Sequence, residues 1–175
     1  MLDYVAWILL SWLGADFIAG LFHFVEDRYW DESTPIVGRL VGGPNKKHHS
    51  EPRAFLRGNY WQRNYTTIMP ASVGVGLCLC LEPLRDYWLM FAFLTQANEV
   101  HCWAHQPGKV NWLVEALQET GLVQSARHHN GHHGAPYDIR FCVMSCWLNP
   151  WLDRGRFWIA LEWLIWKIFR VKPQV

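Results

Sequence analysis

Net charge is almost absent from this chain. Its 16 Lys and Arg stand against 15 Asp and Glu, leaving a formal charge of +1, and no long basic run occurs. That excludes a general electrostatic attraction to nucleic acid, which needs a basic stripe or tail. Cysteine is scarce and odd in number: five residues, with no Cys-x-x-Cys pair. A disulfide framework and a zinc ribbon are both excluded by that count and spacing. Three of the five lie in apolar stretches, as expected of small buried hydrophobes. A basic segment ahead of the first apolar run is missing too, and the run carries Asp16 and follows Asp3, so it does not read as a cleaved signal peptide. No internal repeat, low-complexity tract or linker divides the 175 residues, and a single domain over 1–175 is expected.

Apolar and aromatic residues are abundant. The chain is 51% hydrophobic with 12 Trp, yet its mean hydropathy is only -0.05. Such a balance fits a few membrane-embedded helices joined to a sizeable wet portion, with Trp at the membrane–water boundary. Tyr4 to Val25 is long enough to span a bilayer. Within it Asp16 must face protein or water, because an ionisable group in hydrocarbon is costly. Tyr65–Leu81 and Tyr87–Ala104 are at the short end for spanning, and Glu82-Pro83 between them reads as a tight turn of a helical hairpin. Phe157–Phe169, rich in Trp and holding Glu162 and Lys167, reads as a helix lying in the interface. Phe141–Leu152 is apolar but short, and reads as re-entrant or interfacial. Gly42-Gly43-Pro44-Asn45 reads as a turn. The expected fold is therefore all-α: an integral-membrane helical protein with about three embedded helices.

Lys and Arg crowd the loop after the first span, at Arg28, Arg39, Lys46, Lys47, Arg53, Arg57 and Arg63, and recur after residue 105, whereas the 82–86 turn holds only Arg85. The positive-inside rule then puts the first loop and the C-terminal half on the cytoplasmic side. The same assignment brings all nine histidines to that side, although only Lys and Arg entered it. They are His23, His48, His49, His101, His105, His128, His129, His132 and His133.

Their spacing has a mechanical reason. Residues i and i+4 of a helix share a face, so His101 with His105 can meet one metal ion. His128 with His132, and His129 with His133, repeat the spacing in two registers, which suits two ions side by side. His23 and Asp27 are again four apart, and a carboxylate there is a ligand or a partner that orients an imidazole. Imidazole suits Zn, Cu, Fe and Ni, so spacing alone leaves the metal open. A pH sensor is the competing use of clustered His, but it does not call for repeated helical spacing.

Several further pieces carry a resemblance. They are Asp16-Phe17, Gly20-Leu21-Phe22-His23 with Asp27, Pro35-Ile36-Val37-Gly38, His48-His49 with Pro52, and Asn59. Asn98-Glu99-Val100-His101-Cys102-Trp103-Ala104-His105, Leu117-Gln118, and His128-His129-Asn130-Gly131-His132-His133 with Pro136-Tyr137 follow. Trp147-Leu148-Asn149, Trp158 and Glu162 complete the set. In this order the chain resembles the Kua/CarF lipid desaturase family. The resemblance implies a membrane oxidoreductase with two Fe ions, O₂ as co-substrate, a membrane phospholipid as substrate and an electron-transfer protein, cytochrome b5 or a ferredoxin, as donor. It implies a double bond inserted near the head of a lipid-linked chain; in the plasmalogen branch an alkyl ether becomes a vinyl ether. The nine histidines would hold the irons, with Asp27 and Asn98 as ligands or their partners. It also implies that an N-terminal span common in the family is lacking here, since the chain starts almost at the first matching helix. A di-iron lipid hydroxylase, or a His-rich membrane metal sensor, would use the same residues.

Overall fold

The computed structural model describes residues 2–174, and it contains helices and turns but no strand among them. The helices are α1 (Leu2–Tyr29), α2 (Gly43–Ser50), α3 (Tyr60–Cys80), α4 (Trp88–Leu94), α5 (Ala97–Ala104), α6 (Trp112–Glu119), α7 (Ala126–His129), α8 (Asn149–Arg154) and α9 (Phe157–Phe169). Among the described residues α1 alone is long and apolar enough to cross a membrane, by length and composition. The expected hairpin forms: α3 and α4 pack together across a short 3₁₀ turn over Glu82–Tyr87. The stretch expected as one helix over 87–104 is instead two, α4 and α5, interrupted at Thr95-Gln96.

Small residues let α1 sit at the centre. Ala15 and Ala19 pack with Ala71, Leu94, Ala97, Val100 and Met144. A Cβ at Gly20 would lie 2.7 Å from Cys142 Sγ, so glycine is needed there for close approach. Further along α1, Phe24 packs with Phe141 and Trp158, and Arg28 pairs with Glu162 at 2.7 Å. These contacts tie α9 to the end of α1. The outer side of α9 leaves Ile159, Trp163, Trp166 and Phe169 exposed, and Lys167 and Arg170 lie over Trp163 and Trp166. That arrangement suits an interfacial helix, whose rings and cationic heads share one boundary.

One turn expected from the sequence is corrected. Gly42-Gly43-Pro44-Asn45 is not a turn: a π-helical stretch over Gly38–Gly42 runs straight into α2. Gly38 and Gly42 allow this because they press on the backbone of Asp31 and Glu32, where a Cβ would come within 2.6–2.7 Å. Residues 141–145 are buried and form no regular element. Buried irregular backbone must find its hydrogen bonds elsewhere, and here side chains supply them. Asp16 accepts from Met144 N (2.7 Å), Ser145 N (3.1 Å) and Ser145 Oγ (2.6 Å). Asn149 accepts from Cys142 N (3.0 Å) and donates to Cys142 O (2.8 Å). Gln124 Nε2 donates to the same carbonyl at 2.7 Å.

Candidate metal centre

Four parts of the fold converge on the histidines. α1 carries His23 and Asp27, α2 carries His48 and His49, and α5 carries His101, with His105 at its C-cap. The turn that begins with α7 carries the last four. The side chains sort into two adjoining groups: His48, His101, His105, His129 and His133; and His23, Asp27, His49 and His132. The ligand atoms within each group all lie within 4.8 Å of one another. Adjacent helical residues point about 100° apart, which is why His48 and His49 feed different groups. The groups abut, with ring centroids 5.0 Å apart for His49 and His133 and 5.5 Å for His23 and His101.

In the first group His105 Nε2 lies 3.1 Å from His48 Nε2, 3.1 Å from His101 Nε2 and 2.9 Å from His129 Nε2. His101 and His129 Nε2 are 2.8 Å apart, and His133 and His129 Nε2 3.0 Å. Each ring nitrogen has a single in-plane direction for one proton or one lone pair. It cannot be hydrogen-bonded to three neighbours at once. Nitrogens bound at right angles, each about 2.1 Å from an ion, would stand about 3 Å apart, which is the spacing seen. Burial holds these imidazoles neutral, the form that binds metal: the His48 pKa is lowered to about 2 and that of His133 to about 3, with neighbouring histidines adding to the effect. His129 is likewise held well below the usual imidazole range, chiefly by burial.

In the second group the tautomers are fixed. His23 Nδ1 donates to Phe141 O at 3.0 Å, and His132 Nδ1 donates to Ile139 O at 2.7 Å. A carbonyl only accepts, so the proton sits on Nδ1 and Nε2 of the neutral ring is a bare acceptor. Both Nε2 atoms then face Asp27 Oδ2, another acceptor, at 3.4 and 3.0 Å. All three atoms are buried without a hydrogen-bond partner. Asp27 Oδ1 is the satisfied oxygen, taking Asn45 Nδ2 at 2.5 Å and meeting His49 Nε2 at 2.8 Å. Facing acceptors in a buried pocket are reconciled by a positive charge between them, whether a metal ion or a proton on an imidazole. The donor set, imidazoles with one carboxylate, fits a transition metal such as iron.

Two of the residues singled out from sequence lie outside both groups. The helix of α7 ends at His129, so His128 and His132 lose their common face. His128 Nε2 instead meets Asn149 Nδ2 at 3.1 Å. Asn98 turns to α3, where its Nδ2 donates to Arg63 O at 2.9 Å. It steadies α5 against α3, as does the neighbouring Glu99, which pairs with Arg63 at 3.0 Å. Sequence reasoning missed Asn45, and it missed that Asp16, Gln124 and Asn149 brace the segment that starts at Phe141, whose carbonyl orients His23. Asn45 was read only as part of a turn, and nothing in its spacing pointed to Asp27.

The comparisons agree with this chemistry. The lipid desaturase domain model matches residues 12–175. The chain is 32% identical over 169 residues to fatty acid desaturase 4-like 1, chloroplastic, of Arabidopsis thaliana, covering 91% of this chain and 55% of that protein. It is 31% identical over 176 residues to plasmanylethanolamine desaturase 1 of Mus musculus, covering 93% and 65%. It is 27% identical over 166 residues to plasmanylethanolamine desaturase of Myxococcus xanthus, covering 90% and 59%. The chain thus spans between 55% and 65% of the length of these relatives. No solved structure matches it.

Proposed function

The chain belongs to the lipid desaturase domain family, and on that premise we propose that it is a membrane oxidoreductase that inserts a double bond into a lipid-linked chain. The substrate is an alkyl ether phospholipid, converted to its vinyl ether, or a lipid-linked acyl chain desaturated near the head group. Relatives named for both kinds of reaction support this range. The observation that carries the reading is the pair of abutting histidine groups, one of them holding buried acceptors that a metal ion between them would reconcile.

Two iron ions fit these groups, and iron supplies the O₂ and electron chemistry that side chains lack. The balance is that one O₂ accepts four electrons and four protons and leaves as two waters. Two electrons and two protons come from adjacent CH₂ groups; the rest come from solvent protons and an electron-transfer protein, cytochrome b5 or a ferredoxin. The protein's own part is to position and enclose. Phe141 O and Ile139 O keep His23 and His132 in the metal-binding tautomer. Asp27 adds the negative charge that holds a cation against them. The apolar exposed faces of α1 and α3, such as Leu10, Phe22, Met69, Val73 and Leu77, suit contact with lipid, and the basic loop after α1 supports a cytoplasmic position for the histidines.

The test is lipid analysis of cells with and without the protein, grown in air, with iron measured in the purified protein. A lipid two mass units lighter (as desaturation requires) and about two irons per chain are expected. A product heavier by an oxygen atom would make it a hydroxylase instead. Absence of iron together with unchanged lipids would sink the reading.

A further inference from the structure

His128, outside both histidine groups, lines a cavity of about 400 Å³ with Glu119, Ser125, Arg127, Arg140 and Trp147. The orientation of Asn149 decides which nitrogen His128 presents. Its Oδ1 takes Cys142 N–H and its Nδ2 gives to Cys142 O, so the amide is not free to flip. Nδ2 therefore donates to His128 Nε2 at 3.1 Å, and the ring proton lies on Nδ1. His128 thus has its acceptor nitrogen occupied and a donor nitrogen to offer.

Arg140 is seated with equal specificity. Its φ is +60°, a conformation that a non-glycine residue rarely adopts. The strain is held by Asp153, which accepts its backbone N–H at 3.2 Å. The guanidinium lies across Gly131, where a Cβ would fall 1.9 Å from Nη1, and Nη1 donates to His128 O at 2.9 Å. The arginine ion pairs among the described residues belong to Arg28 and Arg63, and neither Arg127 nor Arg140 has a carboxylate within that range. Two arginines outside any close ion pair, Arg140 with Asp153 nearby, and an imidazole N–H donor line one cavity. Such a set suits phosphate oxygens.

We propose that this cavity binds the phosphodiester of a phospholipid head group through Arg127, Arg140 and His128. Glu119 decides between the possible phosphates: its carboxylate repels a dianion, so a singly charged diester is favoured over free inorganic phosphate. His128 precedes His129 of the first metal group in the chain. This inference rests on the desaturase reading for its biological meaning, but not for its test.

The probes are dihexanoyl-phosphatidylethanolamine, dihexanoylglycerol and inorganic phosphate, each titrated calorimetrically into the metal-loaded full chain in detergent micelles. The phospholipid should bind more tightly than either other probe. Arg127→Gln and Arg140→Gln should each weaken it roughly tenfold, the loss expected for one charge-assisted hydrogen bond, with metal content unchanged. Arg127 is exposed, so Arg127→Gln decides the matter if Arg140→Gln fails to fold. Equal phospholipid affinity in wild type and Arg127→Gln overturns the proposal. So does dihexanoylglycerol binding as well as the phospholipid. Inorganic phosphate binding as tightly as the phospholipid overturns the head-group assignment in favour of a free-phosphate site. If the wild type binds phospholipid through these arginines yet yields no desaturated lipid, the desaturase reading fails and the site stands. If product forms with the same KM in wild type and Arg127→Gln, the site fails and the reading stands.

Discussion

Replacing Asp27 by Asn should improve the metal-free protein while disabling its second metal group. The Oδ1 position of the carboxylate is served by Asn45 and His49, and an amide oxygen there keeps both partners. At the Oδ2 position the substitution exchanges an acceptor for an N–H₂ donor. That position faces the bare Nε2 of His132 at 3.0 Å and of His23 at 3.4 Å. Opposed acceptors become a donor facing acceptors. A full hydrogen bond in place of an unsatisfied buried pair would be worth about 1–3 kcal/mol. The contacts lie outside hydrogen-bond alignment, so the lower end, about 1 kcal/mol, is expected. For the metal the sign reverses, because the only anion of the group is lost, and affinity should fall roughly 100-fold, the upper end of the effect of removing a partner of a ligated metal. The assay is chelator-treated protein unfolded in parallel with wild type, together with metal stoichiometry of the reloaded protein. Asp27→Asn should have the higher apo midpoint and should retain one ion where the wild type retains two. A variant that is less stable without metal, or that keeps both ions, would refute the claim that Asp27 Oδ2 and the two imidazoles are mutually opposed acceptors.

The neighbours His128 and His129 should part company: His129→Ala removes a member of the first group and should cost bound metal, whereas His128→Ala should keep the full complement by elemental analysis. Asp16→Asn replaces an acceptor of three hydrogen bonds by a side chain with one acceptor and a donor facing N–H groups. It should lower stability by about 3 kcal/mol, since bonds to charged groups are worth about 1.5–3 kcal/mol each, and denaturant unfolding at equal slope measures this. Acid should destabilise the chelated protein. The unfolded chain protonates its histidines below about 6.5, whereas the folded protein holds His48 at about 2 and His133 at about 3. Between those values the unfolded state binds more protons, so stability is full above the unfolded pKa and falls as pH drops. A midpoint constant from pH 7 to 5 would contradict that burial. In the loaded protein the same protons compete with metal, and ion release should track the same window.

Helix periodicity and apolar length made α1, α3 and α9 legible, because those elements are decided by runs of neighbouring residues. The break at Thr95-Gln96 was not legible; it is followed by α5, which docks on α3 through Asn98 and Glu99, contacts that no local pattern announces. What braces the 141–145 segment was not legible for a related reason. Its sequence is apolar, and hydropathy reports burial without saying what buries. Its backbone is answered by Asp16, Gln124 and Asn149, which are 128, 18 and 7 positions away from their partners. Local pattern carries no information about such pairings.

The histidines show where spacing stops being informative. His23 with Asp27 and His101 with His105 keep their i,i+4 relation, because each pair lies on a helix or at its cap. In His128-His129-Asn130-Gly131-His132-His133 the same arithmetic offered two equivalent pairs, and only a continuous helix would have honoured both. The helix ends at His129, and Gly131 admits the Arg140 guanidinium where a side chain would stand. From that point orientation is set by individual partners: Ile139 O turns His132 toward Asp27, and Asn149 turns His128 away from the metals. One glycine therefore changes what four imidazoles do. Gly131→Ala should displace Arg140 from His128 O and disturb the turn that separates His128 from His132. That makes it a sharper test of the division of labour than removing any single histidine. It should weaken phospholipid binding and metal retention together, whereas Arg127→Gln should affect the first alone. Metal content and phospholipid titration on the two variants would show whether the turn or the charge is at fault, and a Gly131→Ala protein unchanged in both would refute the role given to the turn.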